Sequence, residues 1–171
     1  MIGGPTKFGM RNPNAPAELD RLAFLIGEWR CDARFLGEDG SWQKFRAEWV
    51  GRFALDGYAV ADEFRLLDGA GRLLVLGLNL RTYEPARKKW YMRWLQALEG
   101  SWTDLAPEEF GGAQFNGRSF SYIFREPMVR HAYTRATYTP DSESQFTWKG
   151  ERSNDRTTWS EFMEIVAHRE E

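Results

Sequence analysis

Phe24-Leu25-Ile26-Gly27-Glu28-Trp29 is the stretch at which the hydrophobic period of the chain changes. Before it, Leu19, Leu22, Ala23 and Ile26 follow i, i+3, i+4, i+7 spacing, which gives a short helix one apolar face. Asn14 stands where it can cap that helix, Pro16 sits in its first turn, and Glu18 favours the positive end of the helix dipole. Gly27 stops it. From Glu28 onward the period is two: Trp29, Cys31, Ala33 and Phe35 alternate with Arg30, Asp32 and Arg34, as in a strand buried on one face.

The same alternation runs to the C-terminus, broken at regular intervals by turn residues. Gly37-Glu38-Asp39-Gly40, Leu55-Asp56-Gly57, Asp68-Gly69-Ala70-Gly71 and Glu84-Pro85-Ala86-Arg87 separate the first strand patterns. Residues 73–83 are apolar on both faces in their first half, so period alone leaves their orientation open. Residues 99–117 read as loops with one short strand, and strand patterns resume over 119–125, 129–139, 145–151 and 157–168. The pattern predicts an all-β fold, an antiparallel up-and-down barrel of about nine or ten strands with a short N-terminal helix. Residues 1–15, with Gly3, Gly4, Pro5 and Pro13, read as a flexible arm, and 16–171 as a single barrel domain.

Composition narrows the function. Eight Trp, twelve Phe and six Tyr in 171 residues can fill a wide core or wall a cavity, since each buried aromatic removes about 150–250 Å² from water. A net charge of -2 gives no basic footprint for nucleic acid and no cationic face for a membrane surface. Cys31 is the single cysteine, so no internal disulfide forms, and residues 1–17 lack an apolar signal-peptide core. A cytoplasmic location is expected. Two His and one Cys are too few for a zinc set, and no residue pattern calls for a metal or a cofactor.

The ordered set of Phe24-Leu25-Ile26-Gly27-Glu28-Trp29, the Leu55-Asp56-Gly57 bend, Tyr83-x-Pro85 and Trp90-x-x-x-Trp94 resembles the lipocalin-like (calycin) barrels. It looks closer still to a broad group of bacterial lipocalin-like proteins with no agreed activity. The resemblance covers about residues 18–167. It implies a barrel whose first-strand Trp, here Trp29, closes the base and stacks on an Arg from a late segment, with Arg152, Arg156 and Arg169 as candidates. The haem-binding nitrobindins extend the motif to Gly-x-Trp-x-Gly-x-Gly, and Cys31 and Ala33 stand where those glycines would be.

Barrels of this kind hold small apolar ligands, so ligand binding is the leading expectation. Trp49, Trp90, Met92 and Trp94 are expected as cavity walls, with Asn79, Arg81, Arg135 or Glu161 as polar anchor. Asp62 shares parity with Val60, Phe64 and Leu66, and Glu161 with Trp159, Met163 and Ile165. A buried carboxylate must find a partner or change its pKa. An inward Asp62 or Glu161 paired with Arg135 would anchor a ligand carboxylate or polarise a carbonyl, or simply tie strands together. Arg135 shares a face with His131 and Tyr133, and a strand His there offers a base or haem ligand as well as an ordinary surface role. The alternative is a cofactor-independent enzyme of cyclase, isomerase or decarboxylase type, with Glu161, Asp62 and Arg135 as catalytic candidates. A third reading is a protein-interaction module with a solid interior. A homodimer fits any of these.

Overall fold

The computed structural model describes residues 7–126 and 132–170. A 3₁₀ helix, Ala17–Leu25, leads into eleven strands: β1 (Gly27–Leu36), β2 (Trp42–Ala54), β3 (Ala59–Leu67), β4 (Leu73–Glu84), β5 (Lys89–Gln96), β6 (Ser101–Asp104), β7 (Gln114–Asn116), β8 (Ser119–Arg125), β9 (Tyr133–Pro140), β10 (Gln145–Ser153) and β11 (Ser160–Arg169). They form one antiparallel sheet in the order β6-β5-β4-β3-β2-β1-β11-β10-β9-β8-β7. The first and last strands pair, from Trp29 opposite Arg169 to Phe35 opposite Met163, so the free edges lie mid-chain at β6 and β7. Aromatic packing draws those edges together: the Trp90 ring on β5 lies 5.9 Å from Phe115 on β7 and 5.8 Å from Phe120 on β8. The sheet is thereby curled into an antiparallel β-barrel with a seam. Eleven strands exceed the nine or ten expected because the irregular stretch 99–117, expected to hold one short strand, holds two, β6 and β7, of four and three residues.

The helix differs from expectation in kind. Its buried residues are Leu19, Leu22 and Leu25, at three-residue intervals, while Ala23 is exposed. That is the period of a 3₁₀ helix, which stacks side chains at i and i+3. Asn14 does not cap it; Pro16 occupies that position without a side-chain bond, and the Asn14 N–H donates to Asn12 Oδ1 instead. The helix packs against β2, β3 and β4 and closes one end of the barrel. It can sit there because position 51 is glycine, where a Cβ would run into the Leu25 carbonyl oxygen.

Trp29 completes this closed end. It is 2% exposed, and its Nε1 donates to the Leu25 carbonyl at 3.1 Å, satisfying a helix-end acceptor. The Arg169 guanidinium lies 4.1 Å from its ring centre and donates to the carbonyls of Ile26 at 2.8 Å and Glu143 at 3.0 Å. Of the three candidate arginines, Arg169 is therefore the partner; Arg152 packs over Phe162, and Arg156 over Tyr133 and Phe110. Gly27 has φ +129°, and a Cβ there would collide with Arg169 Nη1, so the glycine of Gly27-x-Trp29 is needed for the arginine to reach the ring.

Part of the segment expected to be a loose arm is tied to this end. The Phe53 N–H donates to the Phe8 carbonyl at 2.8 Å, the Asn12 N–H donates to the Gly57 carbonyl at 3.2 Å, and Ala15 is buried. Trp29→Ala should cost about 3–5 kcal/mol, the usual loss for a buried large aromatic. Arg169→Ala should cost about 1–3 kcal/mol through its lost charged hydrogen bonds. Urea denaturation of both variants checks this, and an unchanged midpoint for Trp29→Ala would show that the closed end does not depend on it.

Candidate functional site

The register across β2 to β5 aligns Gly51, Asp62, Asn79 and Trp94 in one row, with Val60, Arg81 and Met92 in the next inward row toward the closed end. Because β3 and β4 alternate strictly here, Asp62, Asn79 and Arg81 all point inward. Asp62 and Arg81 are both 0% exposed. The carboxylate is fully engaged. Trp49 Nε1 and Asn79 Nδ2 each donate to Asp62 Oδ2 at 2.7 Å, and Arg81 Nη1 donates to Oδ1. Arg81 Nη2 reaches across the barrel to the Tyr138 hydroxyl at 3.0 Å, which lies 3.2 Å from the Tyr122 hydroxyl. Arg81 Nε has no acceptor among the described residues.

The electrostatics follow from this packing. Burial alone would lower the Arg81 pKa, but the Asp62 carboxylate and the two tyrosine hydroxyls outweigh it, so the guanidinium stays charged. Burial raises the pKa of Tyr122, and burial with the neighbouring Tyr122 raises that of Tyr138. Both remain neutral hydroxyls. On β1, burial and then the nearby charges of Asp32, Glu48 and Glu170 push the Cys31 thiol up to about 12. Among the described residues no three His, Cys, Asp or Glu side chains gather into a metal-binding group.

A cavity of about 330 Å³ extends from this cluster toward the end of the barrel away from the helix. Trp49, Phe64, Trp94, Phe124, Trp148 and Phe162 wall it. Asn79, Tyr122 and Tyr138 border it on the cluster side, and Gln96, Glu99, Ser101, Glu126 and Thr134 at the other end. Thr134 donates its hydroxyl to Glu126. Trp49 belongs to both parts: its ring stacks edge-on to Phe64 and Tyr138 while its Nε1 holds Asp62.

The expected site residues divide accordingly. Trp49, Asn79 and Trp94 line the cavity. Asp62 and Arg81 lie beneath it, sealed from it by their own partners. Trp90 and Met92 are buried but pack at the closed end, Trp90 against Tyr83, Phe115 and Phe120, and Met92 opposite Arg81. The inward orientation expected for Arg135 and Glu161 is corrected. On β9 the buried parity is Thr134, Ala136 and Tyr138, so Tyr133 and Arg135 face outward. Arg135 makes two 2.8 Å bonds to Glu151 and packs 4.5 Å from the Trp159 ring. Glu161 is turned outward by a β-bulge: Gly150 pairs with Met163 but Glu151 with Glu161, leaving Phe162 as the extra residue. Glu161 therefore meets Arg34 and Lys149 on the outer face, while Phe162 lines the cavity. No pairing of Arg135 with Asp62 or Glu161 exists. His131 lies outside the described residues. The tyrosine pair and the acidic rim were missed by the sequence reading, although the Phe120, Tyr122, Phe124 alternation signals the first.

No family model and no curated protein matches the sequence. Among solved structures the chain is similar to Rv2717c from M. tuberculosis at 10% identity and a TM-score of 0.63, covering 92% of this chain and 100% of that one. It is also similar to the S-type phycobiliprotein lyase CPES from Guillardia theta, at 6% identity and a TM-score of 0.59, covering 91% and 94%. Likeness at these identities is one of fold.

Two outcomes are expected from this geometry. Asp62→Ala leaves Arg81 buried and uncompensated and should cost about 3–5 kcal/mol, whereas Asp62→Leu combined with Arg81→Met should recover much of that loss. Denaturant midpoints of the single and double variants test this; equal losses in both would show that the loss comes from the missing pair and its hydrogen bonds and not from the unpaired charge. Cys31, buried and neutral, should resist a thiol reagent at pH 8 in the native protein and react on unfolding.

Proposed function

We propose that the barrel binds a small, mostly apolar molecule in the cavity above the Asp62–Arg81 cluster. The observation that carries this reading is the void itself. At about 330 Å³ it falls within the usual range of ligand sites, about 300–1,000 Å³. Protein interiors otherwise pack to crystal density, with few voids larger than a water molecule. An aromatic-rich chain has ample side-chain volume to fill a barrel solid, and this one leaves a space walled by six large aromatic rings. Fixed polar groups at both ends of an apolar wall are the usual composition of a site that orients its ligand.

The same geometry speaks against the rival readings. A solid interior, which the interaction-module reading requires, is not what the cavity offers. An acid–base mechanism through Asp62 needs a carboxylate that reaches substrate, and this one is held by three donors with no exposed surface. Catalysis by the named candidates is accordingly not part of the proposal. That a barrel sharing the fold is a phycobiliprotein lyase does not alter this, because function resides in sites and not in folds.

A neutral environment-sensitive dye, N-phenyl-1-naphthylamine, tests the reading. It should bind saturably, with a rise in its own emission and quenching of tryptophan emission, because Trp49, Trp94 and Trp148 wall the space. Val75 also lines the cavity, and Val75→Trp places a further large ring into it and should abolish saturation while the thermal midpoint stays near that of the parent. Non-saturating dye fluorescence, or saturation indifferent to Val75→Trp, would remove the cavity from consideration as a binding site.

A further inference from the structure

The charge around the cavity is one-sided. Its charged lining residues are Glu99 and Glu126, and no Lys or Arg lines it among the described residues. Arg81, beneath the cavity, is 0% exposed and committed to Asp62 and Tyr138. Arg152, opposite the lining Thr134 and packed over the lining Phe162, is already beside Glu126, so the charge left over at that end is negative. Arg135, expected to anchor an anion, is on the outer face with Glu151. Glu126 accepts the Thr134 hydroxyl and has Arg152 at 3.8 Å, while Glu99 has no ion pair among the described residues. They stand on the β5–β6 turn and just beyond β8, on opposite sides of the seam, so both reach the same cavity end.

Two uncharged side chains add acceptors. Gln96 Oε1 is buried without a donor among the described residues. Asn79 has its amide nitrogen committed to Asp62, which leaves the oxygen as its free function on a cavity-lining side chain. A buried acceptor without a donor is costly, and a ligand N–H relieves that cost. The walls add to this, because aromatic rings such as Trp94 and Trp148 attract a cation to their faces through the quadrupole. A carboxylate entering here meets Glu99 and Glu126, of which only Glu126 has a cation beside it among the described residues, and the unpaired Gln96 oxygen. A protonated amine meets the complement of each.

We infer that the ligand is an organic monocation, an apolar body carrying a protonated amine, with its ammonium at the open end among Glu99, Glu126 and Gln96. The inference rests on the binding reading above and reverses the anionic anchor expected from the sequence.

Isothermal titration calorimetry at low ionic strength with three probes of one shape decides it: 2-naphthylmethylamine, 2-naphthylmethanol and 2-naphthoate. The amine should bind about tenfold or more tighter than the alcohol, as a charge-assisted hydrogen bond exceeds a neutral one, and the naphthoate should bind weakest. Glu99→Gln and Glu126→Gln should each narrow the amine-to-alcohol ratio. The second keeps an acceptor for Thr134, so the β8–β9 contact is preserved. Glu161→Gln, on the outer face, removes the same charge and should leave the ratio as it was. Naphthoate binding as tightly as the amine, or a ratio unmoved by both rim variants, overturns the inference. If the alcohol binds and the amine gains nothing, the binding reading stands and only the cationic ligand falls; if none of the three binds, both fall together.

Discussion

A carboxylate and a guanidinium, each without solvent exposure, face each other between β3 and β4. Removing both from water costs several kcal/mol per ion, and their attraction recovers this only when the remaining polar atoms are also satisfied. Among the described residues the barrel meets that condition at every polar atom of the pair except Arg81 Nε. Asp62 draws donors from β2 (Trp49) and β4 (Asn79 and Arg81), and Arg81 draws an acceptor from β9 on the far side. The network therefore couples the two halves of a sheet whose mid-chain edges are not hydrogen-bonded to each other. Shifting any of these strands by one residue would turn its member outward and orphan the rest, so the cluster fixes register as well as closure.

How much of this the sequence disclosed depends on where alternation held. On β1, β2, β3 and β5 it held well enough that the inward faces of Trp29, Trp49, Asp62 and Trp94 were legible from parity, together with the barrel class. Strand β4, apolar on both faces in its first half, left the direction of Asn79 and Arg81 open until its pairing with β3 was known. On β9 the parity was equally regular, but the larger polar face of Tyr133 and Arg135 drew attention from Thr134, Ala136 and Tyr138, which is the small-and-aromatic face a crowded interior needs. On β11 no parity argument could succeed, because the bulge at Phe162 adds one residue and reverses everything before it. The helix was placed correctly and typed wrongly: Leu19, Leu22 and Leu25 fit a period of three, and the 3.6-residue template absorbed Ala23 and Ile26 in place of Leu25. The rim of Gln96, Glu99 and Glu126 was hidden for another reason. Its members come from turns and strand ends, brought together by sheet curvature that no local pattern encodes.

The two ends of the barrel are built for different tasks. At the closed end the 3₁₀ helix, Trp29, Arg169 and Phe146 pack edge to face, and Gly27 and Gly51 let backbone and guanidinium approach to contact distance. At the other end the strands are tied by half-buried pairs such as Arg34 with Glu161 and Glu164, which solvent still screens in part, so each contributes less than the buried pair. Stability is thus concentrated away from the space that is open to a ligand, a distribution expected where one region must admit molecules and another must not move.

The persistence of the void follows from its floor. A cavity lined only by aliphatic side chains shrinks as neighbours relax into it, and what remains open reflects how far the surroundings can move. Here the lower boundary is Asn79, Tyr138 and Tyr122, each held by hydrogen bonds to the ion pair or to one another. For these side chains to collapse into the space they would have to release those bonds, and releasing them leaves Asp62 or Arg81 unsatisfied in a low-dielectric interior. The cost of closing the cavity from below is therefore the cost of breaking a buried charge network. The side walls are no freer, since Trp49 is fixed at its ring edge by Asp62 and at its face by Phe64, Tyr138 and Phe146. The interaction that holds the halves of the barrel together is by the same geometry the one that keeps its interior from filling.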